Sequence, residues 1–261
     1  MLVVILLGII QGLTEFLPVS SSGHLVLVQA WLKPPIDDVL FDLVLHLGTL
    51  FPVLYVYRAD ILAMLRAPLA ERGPLAERPS TRLILLLGVS TFATAAIGLP
   101  FKHSLEEMFK TGSTLPLEFA FSGVVLFLTR YTASGTTDER TMPWWHAVII
   151  GLAQGLAIIP AVSRSGMTIA AALFLGHNRE FAAKFSFLLS IAAILGAFVL
   201  EAGDADWSNI PAAPLFAGWL ASLISGYIAL VLLVRIVKRG DFSRFCWWMF
   251  LMAIVSAVVA R

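Results

Sequence analysis

Two apolar segments, one in each half of the chain, are each interrupted by a polar turn, and these interruptions limit how the chain can fold. The first spans residues 2–31 and is broken at residues 18–24; the second spans residues 144–175 and is broken at residues 160–166. The arm after each break has about 9 residues and would reach about 14 Å as a helix, less than half of a bilayer core. Neither segment is therefore able to cross a membrane twice.

The composition of the chain places it in a bilayer. Hydrophobic residues make up 59% of the 261 residues, charged residues make up 13%, and the mean hydropathy is +0.87. A water-soluble domain of this length would not carry so much apolar surface. The net charge of +1 gives no reason to expect nucleic acid as a partner. The single cysteine, Cys246, excludes an internal disulfide and a multi-cysteine metal site.

Six further stretches are apolar and long enough to cross a hydrocarbon core of about 30 Å as helices. They lie near residues 39–57, 83–101, 116–131, 181–200, 213–234 and 245–260. Non-helical backbone is tolerated at membrane depth only where protein or a wet cavity surrounds it, so the two broken segments are predicted to be re-entrant helical hairpins. The sequence thus predicts an all-α polytopic membrane protein, a single membrane domain over residues 1–261 with six full transmembrane helices.

Arginine and lysine positions indicate which side of the membrane each connection faces. Residues 58–82 and 235–244 are rich in arginine and are expected in the cytoplasm. Residues 33–38 and 201–214 carry a single lysine between them and are expected outside. Because each half then contains one hairpin and three full spans, the second half must be inverted relative to the first.

The two predicted inverted repeats, about residues 1–131 and 144–261, share a sequence pattern. The motif Gly-x-x-Gln-Gly-Leu occurs at residues 8–13 and again at residues 151–156, and Ser-x-Ser-Gly occurs in both polar turns. Interrupted helices in inverted repeats place binding sites near the bilayer midplane, where the broken segments meet. We therefore expect the two hairpins to meet there and to form the functional site.

Three ionisable residues, Glu15, His24 and Arg164, lie within or beside the breaks, and ionisable groups at membrane depth usually serve a function. Arg164 is predicted to start a short helix, where its guanidinium and the free backbone N–H groups would bind phosphate. Its alternative role is a structural ion pair with Glu15. Glu15 lies one turn after Gln11, so both side chains suit a hard divalent cation, Mg²⁺ or Ca²⁺, or else satisfy each other.

A cluster of three serines, Ser20, Ser21 and Ser22, lies just before His24. One of these hydroxyls could attack phosphorus while His24 relays its proton as acid and base, and the spacing does not choose among them. The alternative is that the serines cap a short helix that starts near His24.

Other polar and aromatic residues are expected at the membrane interface or in helix packing. Asp42 and His46 lie four residues apart in one span, with a place at the rim of the cavity left open, and Glu118 begins another span. The tryptophans near span ends are typical of an aromatic belt: Trp144, Trp145, Trp207, Trp247 and Trp248.

The two hairpins resemble the two signature motifs of the undecaprenyl diphosphate phosphatase family, the bacitracin-resistance family. The first motif reads Gln-Gly-Leu-Thr-Glu-Phe-Leu-Pro-Val-Ser-Ser-Ser-Gly-His at residues 11–24, and the second reads Pro-Ala-Val-Ser-Arg-Ser-Gly-Met-Thr at residues 160–168. The similarity runs along the whole chain. The resemblance implies a multi-pass protein of the bacterial cytoplasmic (inner) membrane that acts in cell-wall synthesis. It also implies hydrolysis of undecaprenyl diphosphate to its monophosphate, with a divalent cation, at a site open to the outer side.

The resemblance also implies roles for individual residues. Gln11 and Glu15 are expected to form the metal or acid/base site. Ser21 is the expected nucleophile with His24 as its partner, and Arg164 is expected to be catalytic. The residues expected to bind the substrate phosphates are Ser20, Ser22, Ser163, Arg164, Ser165 and Thr168.

Two positions depart from the family pattern, and several questions stay open. Gln11 stands where the family often has glutamate, and Ala161 stands where it usually has glycine, which would matter if that position needs a positive φ. Attack by Ser21 or by a metal-bound water, the identity of the cation, and a homodimer are all left open. A lipid flippase or transporter is the alternative function, because inverted repeats elsewhere support alternating access. The serine and histidine cluster favours an enzyme, since a carrier needs no nucleophile.

Overall fold

The computed structural model describes residues 1–32, 38–111, 113–133, 135–203 and 212–259. Within these ranges the chain forms eleven α-helices and three short 3₁₀ helices, and it has no β-strand beyond one isolated bridge between Thr137 and His177. The α-helices are α1 Leu2–Phe16, α2 Ser21–Leu32, α3 Asp38–Val56, α4 Arg58–Ala70, α5 Pro79–Thr111, α6 Leu115–Leu128, α7 Trp144–Leu156, α8 Arg164–Phe174, α9 Arg179–Glu201, α10 Ala212–Arg239 and α11 Cys246–Val259. The two connections predicted to face outward lie for the most part outside the described residues.

Both predicted breaks are present, between α1 and α2 and between α7 and α8. These four helices have 15, 12, 13 and 11 residues, so at about 1.5 Å per residue each is shorter than a bilayer core. The first turn is tighter than the sequence predicts, because α2 resumes at Ser21 and not near His24. Ser20 makes this tight turn with a left-handed backbone, at φ 66°.

In the part of the chain that the structure describes, four helical segments are long and apolar enough to span a membrane: Pro79–Phe101, Arg179–Glu201, Ala212–Arg239 and Phe242–Val259. A fifth span forms if Leu40–Val56 and Arg58–Ala70, which meet at a bend of 75°, are counted together. The predicted span over residues 116–131 corresponds to α6, which has only 14 residues and continues as a 3₁₀ turn. The chain is thus a multi-pass all-helical protein, and the number of six full spans stays a prediction.

Glycines allow the hairpins to pack closely against the long helices. α1 lies against α10, and a Cβ atom on Gly8 would collide with the carbonyl group of Gly218. α7 lies against α5 in the same manner, and a Cβ atom on Gly151 would collide with the carbonyl group of Ser90. Such small residues stabilise membrane helices through backbone contact, since lipid provides no hydrophobic force between helices. Each hairpin is therefore held by a long helix of the other half of the chain.

Two histidines close the end of the second hairpin, where the chain enters α7 and leaves α8. Nδ1 of His146 lies 3.0 Å from Nε2 of His177, and both side chains are buried. Burial and the neighbouring His146 imidazole lower the pKa of His177 to about 4. His177 is therefore uncharged at neutral pH, and its contact with His146 ties the start of α7 to the loop after α8.

Candidate active site

Glu15 lies at the centre of the site, near the end of α1, and joins the two hairpins. Its Oε2 accepts hydrogen bonds from Ser21 Oγ at 2.6 Å and from Gln11 Nε2 at 3.0 Å. Its Oε1 pairs with the Arg164 guanidinium through Nη2. The predicted meeting of the two hairpins is therefore seen directly, because residues from both halves of the chain contact one carboxylate.

Two polar atoms of this cluster remain available for a ligand. Nη1 of Arg164 and Oε1 of Gln11 are buried and have no hydrogen-bond partner among the described residues. A buried donor or acceptor without a partner costs about 1–3 kcal/mol, so such atoms are usually satisfied by something that binds. The free guanidinium edge suits an anionic oxygen, and the free amide oxygen suits a cation.

Arg164 is held in place by the start of α8. Ser163 caps this helix, and its Oγ accepts a hydrogen bond from the backbone N–H of Gly166 at 3.1 Å. Thr168 is fully buried and bonds to the carbonyl of Arg164 at 2.8 Å and to Ser186 Oγ at 2.6 Å, so it fastens α8 to α9. The positive end of the α8 dipole and the guanidinium consequently favour an anion at the same place.

Serine hydroxyls in each turn donate hydrogen bonds to a backbone carbonyl of the other turn, and these bonds connect the two hairpins. Ser20 donates to the carbonyl of Pro160 at 3.0 Å, and Ser22 also donates to that carbonyl. Ser165, which occupies the position of Ser22 in the second motif, donates to the carbonyl of Leu17 at 3.4 Å. In this state these hydroxyls hold the two turns together, and binding a phosphate would require them to exchange partners.

The structure does not bring Ser21 and His24 together. Nδ1 of His24 lies 2.7 Å from the carbonyl of Ser20, and its Nε2 accepts a hydrogen bond from Trp248 Nε1 at 3.0 Å. The hydroxyl proton of Ser21 points instead to Glu15. Among the described residues, Glu15 is thus the group placed to accept that proton, and the predicted relay through His24 would require a different arrangement.

Sequence reasoning underestimated His46. Its Nε2 lies 3.6 Å from Glu15 Oε2, while its Nδ1 bonds to the carbonyl of Asp42 at 2.7 Å. The side chain is 31% exposed, so it lines the accessible edge of the site. The structure thus places His46 at the rim of the site, which is the alternative that the sequence left open. The sequence contained one signal for a role beyond packing: residues 41–47, which include His46, resemble residues 185–191 of the other predicted repeat.

Two residues of α6 that sequence reasoning assigned to packing, or did not consider, support the second turn. Glu118 is buried, and its Oε2 accepts a hydrogen bond from the backbone N–H of Ala161 at 3.0 Å. Ser122 Oγ accepts the backbone N–H of Ser163 at 3.3 Å. Ser20 is the one described non-glycine residue at positive φ, so Ala161 adopts an ordinary backbone and its departure from glycine causes no such strain.

The described residues contain no group of three or more His, Cys, Asp or Glu side chains that could hold a metal ion. A cation at this site would have two protein ligands, the Glu15 carboxylate and the free Oε1 of Gln11. This set fits Mg²⁺, which is commonly held by one or two protein oxygens together with waters and substrate phosphates. The residues present are therefore compatible with a cation that binds together with its substrate.

The fold and the site together define a multi-pass membrane protein with a buried polar centre, built around Glu15 and Arg164, between two broken helical segments. A family model described as "Bacitracin resistance protein BacA" matches residues 4–255. The chain belongs to this family.

Curated relatives match nearly the whole chain. The undecaprenyl-diphosphatase of Carboxydothermus hydrogenoformans is 43% identical over 260 residues, which cover 98% of this chain and 95% of that protein. The undecaprenyl-diphosphatase of Methanobrevibacter smithii is 40% identical over 257 residues, covering 93% and 92%. That of Geobacter sulfurreducens is 40% identical over 262 residues, covering 98% and 97%.

Proposed function

We propose that this protein is an undecaprenyl-diphosphatase. It hydrolyses undecaprenyl diphosphate to undecaprenyl phosphate and phosphate, which recycles the carrier lipid for cell-wall synthesis and confers resistance to bacitracin. The observation that carries this proposal is the contact of Ser21 and Arg164 with the two oxygens of one buried carboxylate, Glu15. A nucleophile, a base and an anion-binding group thus lie within one site, as hydrolysis of the phosphoanhydride bond of a diphosphate requires.

The proposed reaction begins with an exchange of partners at Arg164. The diphosphate takes the place of Glu15 on the guanidinium and also uses the free Nη1, while the start of α8 adds backbone N–H groups. A guanidinium holds two phosphate oxygens at once, which orients the terminal phosphorus toward Ser21. Release of Arg164 from Oε1 removes the positive charge beside the carboxylate, which makes Glu15 a stronger base for the Ser21 proton already directed at Oε2.

Chemistry follows in two steps. Ser21 Oγ attacks the terminal phosphorus while Glu15 accepts its proton, the bond from that phosphorus to the bridging oxygen breaks, and undecaprenyl phosphate leaves. Water then attacks the phosphoserine and the bond from phosphorus to the serine oxygen breaks. The serine oxygen takes back the proton held by Glu15, and the attacking water leaves as part of the phosphate after it loses one proton to solvent. Attack by water in place of Ser21 is the competing route, and it would form no phosphoserine.

A divalent cation, Mg²⁺ or Ca²⁺, is part of the proposal, and it would neutralise the charge of the diphosphate when bound. Glu15 and Gln11 are the residues that would hold it. The remaining partners are the polyprenyl diphosphate substrate and the surrounding membrane lipids.

The direct test of function uses purified protein in detergent or liposomes with undecaprenyl diphosphate. We expect phosphate release in the presence of Mg²⁺ or Ca²⁺ and its loss after chelation with EDTA. Movement of labelled polyprenyl phosphate across liposomes without any phosphate release would contradict the proposal and favour a flippase.

We also propose that the two halves of the chain are inverted repeats in the cytoplasmic membrane, with the hairpins re-entrant and the site open to the outer side. The reciprocal contacts support this: Ser22 bonds to the Pro160 carbonyl, and Ser165 bonds to the Leu17 carbonyl at equivalent positions. The equivalent glycines Gly8 and Gly151 likewise each pack on a long helix of the other half.

Gln11→Glu is expected to strengthen cation binding. The substitution adds a second carboxylate beside Glu15 and so raises the negative charge of the site, which hard cations favour. The concentration of Mg²⁺ that gives half-maximal phosphate release should fall about tenfold, equivalent to about 1.4 kcal/mol. Titration with Mn²⁺ followed by electron paramagnetic resonance measures the same change without turnover. An unchanged cation affinity would exclude Gln11 from the cation site.

Glu118→Ala is expected to weaken substrate binding. It removes the acceptor for the buried Ala161 N–H, which costs about 1–3 kcal/mol when left unsatisfied, and lets the turn before Arg164 move. We expect kcat/KM to fall by roughly tenfold to a hundredfold, chiefly through KM. Glu118→Gln is the matched control, because its amide oxygen still accepts the bond and should retain most of the activity. Equal rates for the two variants would contradict this role.

A further inference from the structure

Both ring nitrogens of His24 have partners that determine its tautomer. The Ser20 carbonyl can only accept a hydrogen bond, so Nδ1 of His24, 2.7 Å away, carries the proton. The indole N–H of Trp248 can only donate, so Nε2 of His24, 3.0 Å away, presents a lone pair. Because the partners leave one arrangement, His24 is neutral and protonated on Nδ1 in this structure.

The rest of the ring is equally constrained. The Trp248 and His24 rings are within 8° of parallel, with centroids 6.0 Å apart. Phe119 meets the imidazole edge to face, at 5.8 Å and 88°. Protein encloses the imidazole, and His24 is only 7% exposed. Its orientation is therefore set by α6 and α11, which are distant in sequence from the first hairpin.

The bond from His24 supports an unusual backbone. Ser20, whose carbonyl receives it, has φ 66° and is the one described non-glycine residue at positive φ. Such a conformation costs about 1–3 kcal/mol and persists only where surrounding contacts hold it. Ser20 directly precedes Ser21, so the conformation of its backbone sets the direction of the Ser21 hydroxyl toward Glu15.

We propose that Trp248 is a positioning residue for the hydrolysis, and this inference rests on the proposed function. Its indole N–H holds the His24 tautomer that donates to the Ser20 carbonyl, and that bond keeps Ser21 directed at Glu15. The opposite tautomer would place an N–H of His24 against the N–H of Trp248 and a bare nitrogen against the Ser20 carbonyl, so both contacts would be lost together. Trp248 thus acts on the nucleophile through two hydrogen bonds in series.

The test compares Trp248→Phe with Trp247→Phe. The first keeps an aromatic ring but removes the N–H donor, and we expect kcat to fall about threefold to tenfold with KM nearly unchanged. Trp247 is the matched control, because its ring is 68% exposed and packs on Phe250 with no hydrogen bond to His24. Trp248→Gln, which keeps an N–H donor, should recover part of the lost kcat.

Nitrogen NMR of histidine-labelled protein provides a readout that does not depend on turnover. The Nε2 resonance of His24 should move in Trp248→Phe, because it loses its hydrogen-bond donor, and should stay in place in Trp247→Phe. In a His24→Ala background, Trp248→Phe should have no further effect on kcat, since coupled residues are not additive. Equal losses in both backgrounds, or an unmoved resonance, would overturn the proposal. Failure of the unsubstituted protein to release phosphate would instead contradict the proposed function, and the resonance would then still show whether Trp248 donates its hydrogen bond to His24.

Discussion

Arg164→Ala is expected to abolish nearly all phosphate release, with kcat/KM reduced by about 10²–10³-fold. Removal of one buried donor to a developing negative charge typically has an effect of this size, and Arg164 supplies both the ion pair to Glu15 and a free guanidinium edge. Initial rates with undecaprenyl diphosphate over a range of Mg²⁺ concentrations measure the loss. A variant as active as the unsubstituted protein would exclude the proposed mechanism.

Two controls separate binding of phosphate from loss of the fold. Arg164→Lys keeps the charge but cannot hold two oxygens in parallel, so its activity should lie between that of Arg164→Ala and that of the unsubstituted protein. Arg130→Ala removes an arginine that lies over the rings of Phe127 and Tyr131, away from the site, and should leave the rate unchanged. Removal of Arg164 leaves Glu15 buried without its ion-pair partner, so thermal unfolding of each variant should be recorded beside its rate.

Ser21→Ala should reduce kcat by at least about 10³-fold if Ser21 is the nucleophile, because covalent catalysis has no substitute for the attacking atom. Ser22→Ala is the matched control. Its hydroxyl bonds to the Pro160 carbonyl and not to Glu15, so we expect a loss of about fivefold, the value of one ordinary hydrogen bond.

The covalent intermediate itself can be sought. Acid quenching of the reaction with substrate labelled in the terminal phosphate should leave labelled phosphoserine in the unsubstituted protein and none in Ser21→Ala. Turnover of Ser21→Ala close to normal would refute the covalent route. Water would then be the attacking group, with Glu15 still placed to accept its proton.

The breaks in the helices could be predicted from sequence because their causes are local. Pro18 and Pro160 interrupt apolar runs, and the polar turns that follow contain serines typical of helix starts. The start of α8 at Arg164 could be predicted for the same reason, since Ser163 is a strong cap. The predicted inverted arrangement rests on counting spans, and it led us to expect the contact between Glu15 and Arg164 that the structure shows.

The remaining parts of the site depend on contacts that no local pattern encodes. Trp248 looks like any tryptophan near the end of a span, and only the packing of α11 against α6 brings its N–H to His24. Glu118 looks like the polar start of a helix, yet it accepts a bond from the turn before Arg164. The direction of Ser21 depends on the positive φ of Ser20, which the sequence Ser-Ser-Ser gives no reason to expect.

The ion pair between Glu15 and Arg164 has a consequence for turnover. In the proposed mechanism the Glu15 carboxylate, which pairs with the Arg164 guanidinium, competes with phosphate for that guanidinium. We therefore expect an arriving diphosphate to displace the carboxylate from Arg164, and the carboxylate to displace the phosphate product in turn. An arginine without this partner is expected to release phosphate more slowly, so the ion pair favours turnover at the expense of tight binding.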